Sequence, residues 1–327
     1  MSLPPVLNVD NLSTWFDTGQ GVLKAVDGVS FHLETGDTLG IVGESGCGKT
    51  VLSLSIMRLV PTPPGRYASG RIELNGLDLL SLSEAEMRKV RGKAISMIFQ
   101  EPMTSLNPVF RIGAQISETF RLHQGCDRAE SNDKSIEMLR LVGIDLPEKR
   151  VKDYPHQLSG GMRQRVMIAM ALACHPRLML ADEPTTALDV TIQAQILSLI
   201  NDLKRDMGTS VILITHDLGV IAENAQQVAI MYAGKFVEYA DVKDLFSNPL
   251  HPYTEGLLHS IPRIAGEYSR DKRLPIIPGV VPELSQLPQG CRFHVRCPDV
   301  MPICRVEEPV LLGQSLSKRS VRCWKYQ

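Results

Sequence analysis

The sequence predicts an α/β fold: a parallel sheet flanked by helices, a β-rich N-terminal segment, an inserted helical piece and a loop-rich C-terminal region. Three observations carry that expectation. Short apolar runs, LGIVG (39–43), ISMIF (95–99), LMLAD (178–182), VILIT (211–215) and VAIMY (228–232), are separated by helical patterns. Runs without polar alternation suit strands buried on both faces, as in parallel sheets. The stretch GESGCGKT (43–50) joins the first run directly to a helix. Ten of the 21 prolines fall within 249–327, where regular elements are hard to draw.

Taken in order, the first 45 residues alternate apolar and polar, with Val29, Phe31 and Leu33 facing one way. Residues 50–59 read as a helix, stopped by Pro61, Pro63, Pro64 and Gly65. From 101 to 157 the pattern is helical and more polar, with no strand candidate. Strands then resume at 178, 211 and 228, with helices between.

Composition narrows the function. At 327 residues, 43% hydrophobic and 22% charged, the chain has the makings of a substantial core. A net charge of −1 and a pI near 6.7 supply no basic field for nucleic acid. The N-terminal MSLPPVLNVDNL does not read as a secretory signal. The longest apolar run, VMIAMALAC (166–174), falls well short of the roughly 20 residues that cross a bilayer. The chain is therefore expected neither to span a membrane nor to bind nucleic acid. With no export signal, its seven cysteines favour metal ligation or catalysis over disulfides. Cys47, Cys126 and Cys174 are scattered and read as packing residues.

GESGCGKT fits the phosphate-loop pattern G-x-x-x-x-G-K-[ST] between a strand and a helix. Gly43, Gly46 and Gly48 let the backbone turn its N–H groups toward phosphate, and the helix that follows presents its positive end. Lys49 is expected to reach the β- and γ-phosphates of ATP and Thr50 to ligate Mg²⁺, with Glu44, Ser45, Cys47 and Val51 completing the cradle. LMLADE ends a strand in Asp182, placed for the Mg²⁺ shell, followed by Glu183, a candidate to orient and polarise the attacking water.

LSGGMRQR (158–165) precedes that strand by one helix, and here the chain resembles the ATP-binding cassette (ABC) ATPases, whose signature is LSGGQ. Met162 stands where glutamine is usual, and Gln164 and Arg165 follow. Ser159 suits an N-cap, and Gly160 and Gly161 permit close backbone approach to an anion. The resemblance implies a RecA-like P-loop core with an antiparallel β subdomain and a helical subdomain over about 101–160. It also implies a head-to-tail dimer, in which Ser159, Gly160 and Gly161 serve the ATP bound on the opposite subunit. Further residues carry family roles: Gln100 as the glutamine that contacts Mg²⁺ and water, Asp189 of TALD (186–189) at the dimer seam, and His216 as the γ-phosphate switch. Phe16 matches the adenine-stacking aromatic, with Trp15 as the alternative.

EPMTSLNP (101–108), HPYT (251–254) and the tail GCRFHVRCP…C…CW resemble the ATPase subunits of oligopeptide, dipeptide and nickel importers. The resemblance implies a cassette over 1–248 and an importer-type region over 249–327. Its implied partners are a homologous second ATPase, two membrane-spanning permeases and an extracytoplasmic binding protein, with this chain peripheral at the cytoplasmic face. Peptide is the favoured cargo, with nickel or another small solute as the alternative. A soluble ABC ATPase acting on ribosomes or DNA is a weaker rival, because the chain has one phosphate loop, one signature and no basic arm. A permease helix is expected in a groove beside Gln100, where Met103 and Leu106 are either lining or core.

The tail cysteines follow C-x₅-C-x₆-C-x₁₈-C, from Cys291 through Cys297 and Cys304 to Cys323. That spacing is a poor zinc pattern and suits a four-cysteine [4Fe–4S] centre at least as well. In the resembling importers such a set looks like a cluster site. Zinc and metal-free packed thiols stay open, and His294 reads as an exposed side chain. A loop-rich segment this short buries little apolar surface, so a bound metal centre would act as a staple.

Overall fold

Buried on both faces, the five apolar runs form the parallel part of a sheet that has eight strands among the described residues. The computed structural model describes residues 5–19, 21–100, 105–186, 188–261, 276–313 and 319–327. Met103, and the parts of EPMTSLNP and TALD at 101–104 and 187, lie outside them.

The N-terminal alternation becomes β1 (Leu7–Thr18) and β2 (Gly21–Leu33), an antiparallel pair with Val9 opposite Phe31. β4 (Gly65–Leu74) and β5 (Leu77–Asp78) complete a four-stranded sheet in the order β2-β1-β4-β5. The large sheet is built on β3 (Thr38–Val42), β6 (Ile95–Ile98), β7 (Leu178–Asp182), β8 (Ser210–Thr215) and β9 (Gln227–Tyr232). Its parallel part runs β9-β3-β8-β7-β6. β10 (Lys235–Asp241) adds antiparallel to β9.

Alternate residues of these strands enter different cores, as strand geometry requires. Leu178, Leu180, Ile212 and Ile214 pack toward the antiparallel sheet with α1 (Lys49–Ile56) and α2 (Glu84–Val90). Met179, Ala181, Val211 and Leu213 pack toward the helical side. There α3 (Ile112–Gln124), α4 (Arg128–Leu141) and α5 (Pro147–Arg150) form the insertion, and α6 (Gly160–Leu172) returns the chain to β7. α7 (Val190–Met207) and α8 (Leu218–Asn224) follow β7 and β8.

Some expected boundaries move. The first helix ends at Ile56, ahead of the proline cluster, and Arg58 turns into the left-handed region at φ 51°. β4, α2 and β10 had no expectation. β4 carries a glycine at 70 and polar residues on its open face, which blur its alternation.

After α9 (Val242–Ser247), the C-terminal region docks on the sheet. HPYT opens α10 (Pro252–His259), with His251 as N-cap. β12 (Ser320–Val321) pairs with β10, and β11 (Leu312–Gly313) with β12, extending the sheet at that edge. Phe293 and Tyr253 close on Tyr232 of β9, with ring centroids 5.2 and 4.8 Å away.

Candidate nucleotide site

Five parallel strands point their C-terminal ends to one edge, and the chemistry-bearing residues follow from that register. Val42 pairs with Thr215, Asp182 with Ile214, and Ile98 with Ala181. The phosphate loop after β3, Gln100 after β6, the acids at the end of β7 and His216 after β8 thus share the crevice where α/β sheets bind ligands.

The loop needs glycine where its backbone approaches others. A Cβ on Gly48, at φ 108°, would lie 2.2 Å from the Ala25 carbonyl oxygen. One on Gly43 would lie 2.2 Å from the Met231 carbonyl oxygen. Lys49 opens α1, and its ammonium donates to the carbonyls of Gly43 (2.7 Å) and Glu44 (3.0 Å). Those bonds hold the cation over the loop, from which it can exchange onto phosphate. Ser45, Gly46 and Thr50 are exposed, while Cys47 packs beneath the loop with its sulfur 3.9 Å from the ammonium.

Asp182 is 1% exposed, and among the described residues neither carboxylate oxygen completes a hydrogen bond. Burial pushes its pKa up, the Thr50 side chain opposes that, Glu183 adds to it and Lys49 opposes it. A buried, unpartnered carboxylate beside Thr50 is what a hard divalent cation satisfies. The residues fit Mg²⁺, which Asp182 and Thr50 would hold.

Gln100, Glu183 and His216 meet directly. Gln100 Nε2 donates to Glu183 Oε2 at 3.2 Å, and His216 Nδ1 lies 3.3 Å from Oε1. The Thr186 hydroxyl adds a third contact at 2.8 Å. Glu183 adopts φ 47°, an unusual left-handed conformation for a side-chain residue, and its N–H still donates to Ile214. Burial works against the Glu183 charge, but the Thr186 hydroxyl and His216 outweigh it and hold the carboxyl below the ordinary range. An ionised carboxylate with a fixed orientation can aim and polarise a water molecule.

Other expected residues stand apart. Ser159 caps α6 through Met162 N–H, and Asp189 caps α7 through Ile192 N–H. The two helix starts face each other, since a Cβ on Gly160 would meet Leu188 and one on Gly161 would meet Ile192. Among the described residues, no hydrogen bond joins Ser159, Gly160, Gly161 or Asp189 to residues 43–51. Phe16 lies in β1 opposite Leu23 and Gly65, while Trp15 is flanked by Lys24 and Arg66 at 4.8 and 5.0 Å.

The tail cysteines are mutual neighbours. Burial raises the Cys291 thiol to about 11, and Cys304, Cys297 and Cys323 each add to the rise. Among the described residues, no group of three or more His, Cys, Asp or Glu is drawn together as ligands of one metal ion. His294 is not exposed as expected: it is half-buried, with Nδ1 2.8 Å from the Cys291 carbonyl oxygen. Leu106 belongs to the core and also lines a groove of 340 Å³ between β6 and α3.

Comparison with known proteins decides the family. Residues 26–186 match the ABC transporter family model, and 237–304 match that of the oligopeptide/dipeptide transporter C-terminal region. The oligopeptide transport ATP-binding protein AppD of Bacillus subtilis is 53% identical over 322 residues, covering 98% of this chain and 97% of its own. The chain belongs to the ABC transporter ATP-binding family.

The dipeptide transport ATP-binding protein DppD of Bacillus subtilis is 51% identical over 98% of this chain and 94% of its own. Among solved structures, a dimeric ATP-binding cassette in a post-hydrolysis state with ADP and Pi superposes with a TM-score of 0.64. It is 26% identical, over 72% of this chain and 98% of its own. The chain is thus an ABC ATPase, and ATP and Mg²⁺ are the ligands its family implies. Among the described residues no helix is long and apolar enough to cross a membrane.

Sequence reasoning missed Arg292, Arg296 and Tyr253. The first two lie within GCRFHVRCP, where the cysteines drew the chemistry. Arg292 is ion-paired to Asp27 and donates to the Ala233 carbonyl, and Arg296 pairs with Glu44. Opposite charges 252 and 265 positions apart leave no local signal.

Proposed function

We propose that this chain hydrolyses ATP to power peptide import through membrane permeases. The observation that carries the cargo is the match of the whole chain, tail included, to ATP-binding proteins named for oligopeptide and dipeptide transport. The convergence of Gln100, Glu183 and His216 beside Lys49 supports the chemistry. Lys49 neutralises β- and γ-phosphate charge, and Glu183 orients the attacking water. Gln100 and His216 hold that carboxylate and sense the terminal phosphate. Mg²⁺, held by Asp182, Thr50 and Gln100, supplies neutralisation of the phosphates. Gly43 to Val51 form the cradle, and Phe16 supplies the adenine contact.

A head-to-tail pair is supported by the separation of the signature from the phosphate loop. Ser159, Gly160 and Asp189 are exposed, and Val190 beside them is 83% exposed. We place a homologous ATPase across that face, completing each nucleotide site. The groove lined by Met97, Phe99, Leu106, Leu122 and Met170 is apolar enough to receive a permease helix. The chain then sits peripherally at the cytoplasmic face, with an extracytoplasmic binding protein delivering peptide. The cassette spans 1–248, with its helical subdomain over about 101–160, and the importer-type region spans 249–327.

The four neighbouring thiols support a [4Fe–4S] staple held by Cys291, Cys297, Cys304 and Cys323. Iron, sulfide and zinc counts on anaerobically purified protein test this: about four irons with matching sulfide support it, and one zinc or no metal removes it. For transport, the assembled complex in vesicles is assayed for ATP turnover with the binding protein and a peptide. Stimulation by peptide is expected; stimulation by nickel alone would replace the cargo.

A further inference from the structure

The C-terminal region reaches the phosphate loop itself. Arg296 is buried, and its guanidinium grips the Glu44 carboxylate with both terminal nitrogens, at 2.7 and 3.0 Å. Its Nε donates to the Pro278 carbonyl at 2.9 Å, so the fork is aimed from within the tail. From α10, the Tyr253 hydroxyl accepts the Glu44 N–H at 3.0 Å. On the far side, the Glu44 carbonyl accepts from the Lys49 ammonium. One loop residue is therefore fixed at its amide, its side chain and its carbonyl, the first two by residues more than two hundred positions away.

We propose that Arg296 and Tyr253 are positioning residues for MgATP: they act through Glu44 to hold the phosphate loop in its cradling conformation. They touch neither phosphate nor metal. A bidentate charge-assisted pair is strong and directional, so it fixes the plane of the carboxylate as well as its distance. Gly234 N–H donates to the Cys47 carbonyl and restrains the loop's C-terminal half, while the first turn is held from within by Lys49 and from the tail by this clamp. Without the clamp the loop samples other conformations, and the apparent affinity for MgATP falls by the fraction that stays competent. The cost falls on ground state and transition state alike, so KM rises while kcat holds. The tail is then part of the nucleotide site, and Arg296 sits one residue before Cys297.

The inference rests on residues 43–50 being the MgATP site, and the experiment separates the two. KM and kcat of the assembled transporter and the Kd of the full chain for MgATP are measured for Arg296→Met, Arg296→Lys, Tyr253→Phe and Glu44→Gln. Arg296→Met should raise KM and Kd about tenfold with kcat within twofold, Tyr253→Phe about threefold, and Arg296→Lys should recover part of the loss. The double variant Arg296→Met/Glu44→Gln should be no worse than Arg296→Met alone, because the two residues act as one unit. Arg322→Met is the control, since Arg322 ties the tail to the Phe236 and Pro309 carbonyls away from the loop. It should lower the melting temperature and leave KM unchanged. Wild-type KM in Arg296→Met, additive losses in the double variant, or an equal KM shift in Arg322→Met would each overturn the clamp. Absence of MgATP binding by the wild type would instead overturn the assignment of the site.

Discussion

Replacing Asp182 by asparagine should stabilise the nucleotide-free protein and remove its response to Mg²⁺. The carboxylate is 1% exposed, and among the described residues neither oxygen completes a hydrogen bond; Thr50 beside it offsets only part of the effect of burial, so its charge is carried at a cost until a cation arrives. An unsatisfied buried polar group costs about 1–3 kcal/mol, and more when charged. Asparagine keeps the shape and leaves a neutral unsatisfied amide, so the net gain is about 1–2 kcal/mol. With an unfolding entropy of about 2.1 cal/mol/K per residue, that raises the melting temperature by roughly 1.5–3 °C. Saturating MgATP should raise the wild type past the variant. At a hundred times Kd the stabilisation is about 2.7 kcal/mol, or roughly 4 °C. Thermal melts of the full chain with EDTA, with ATP and EDTA, and with MgATP read all three states. A variant that melts below the wild type in EDTA would refute the uncompensated charge. A variant that keeps the full Mg²⁺-dependent increment would refute Asp182 as the metal-holding group.

Glu183→Gln should cut ATP turnover by about a hundredfold or more while MgATP binding persists and ATP-bound dimer accumulates in sedimentation. Undiminished phosphate release would end the role assigned to this carboxylate. Leu122, 70% exposed at the groove, should uncouple the subunit from its permeases when changed to aspartate. Basal ATPase of the isolated chain should stay unchanged, and normal transport by the variant would move the docking site elsewhere. His251 is fully buried and neutral, with its pKa depressed to about 3 by burial and then by Arg322. In the unfolded chain it binds a proton from about pH 6.5 downward, so its stabilising contribution is complete above that pH and lost toward pH 3. Urea unfolding should show the wild type losing about 2 kcal/mol more than His251→Asn between pH 7 and 5. Equal losses would mean that the imidazole protonates inside the fold; asparagine can keep the N-cap bond to Tyr253 N–H.

What the sequence made legible was whatever is decided within a few residues. LGIVG, LMLAD and VILIT are strands because continuous apolar runs need two buried faces, and the parallel sheet provides them. Once those strands are parallel, Asp182, Glu183, His216 and Gln100 come to one edge without further instruction. Glycines at 43 and 48 declare a loop that admits no side chain. β4 was illegible for the same reason reversed: Ser69, Gly70 and Arg71 break its alternation, and pairing with β1 supplies the order that local propensity lacks.

The tail shows where local reading stops. Its prolines and cysteines indicated a segment with too little core of its own, and that holds for its short elements. A separable appendage held by metal alone would bury its aromatic residues internally. Phe293 and Tyr253 instead pack on Tyr232 of the catalytic sheet, and Arg292 and Arg296 reach Asp27 and Glu44 at the two ends of that contact. The region therefore draws its stability from the cassette as well as from any centre its cysteines hold. Coupling runs through the residues that touch the loop, because free energy that seats Arg296 and Tyr253 also seats Glu44. Substituting all four cysteines by serine should then do more than loosen the tail. If the thiol centre sets the path from Cys291 to Cys297, KM for MgATP rises in the same sense as in Arg296→Met, with the melting temperature falling alongside. A melting temperature that falls while KM stays fixed would show that the aromatic cluster and the arginines seat the loop without help from the thiols.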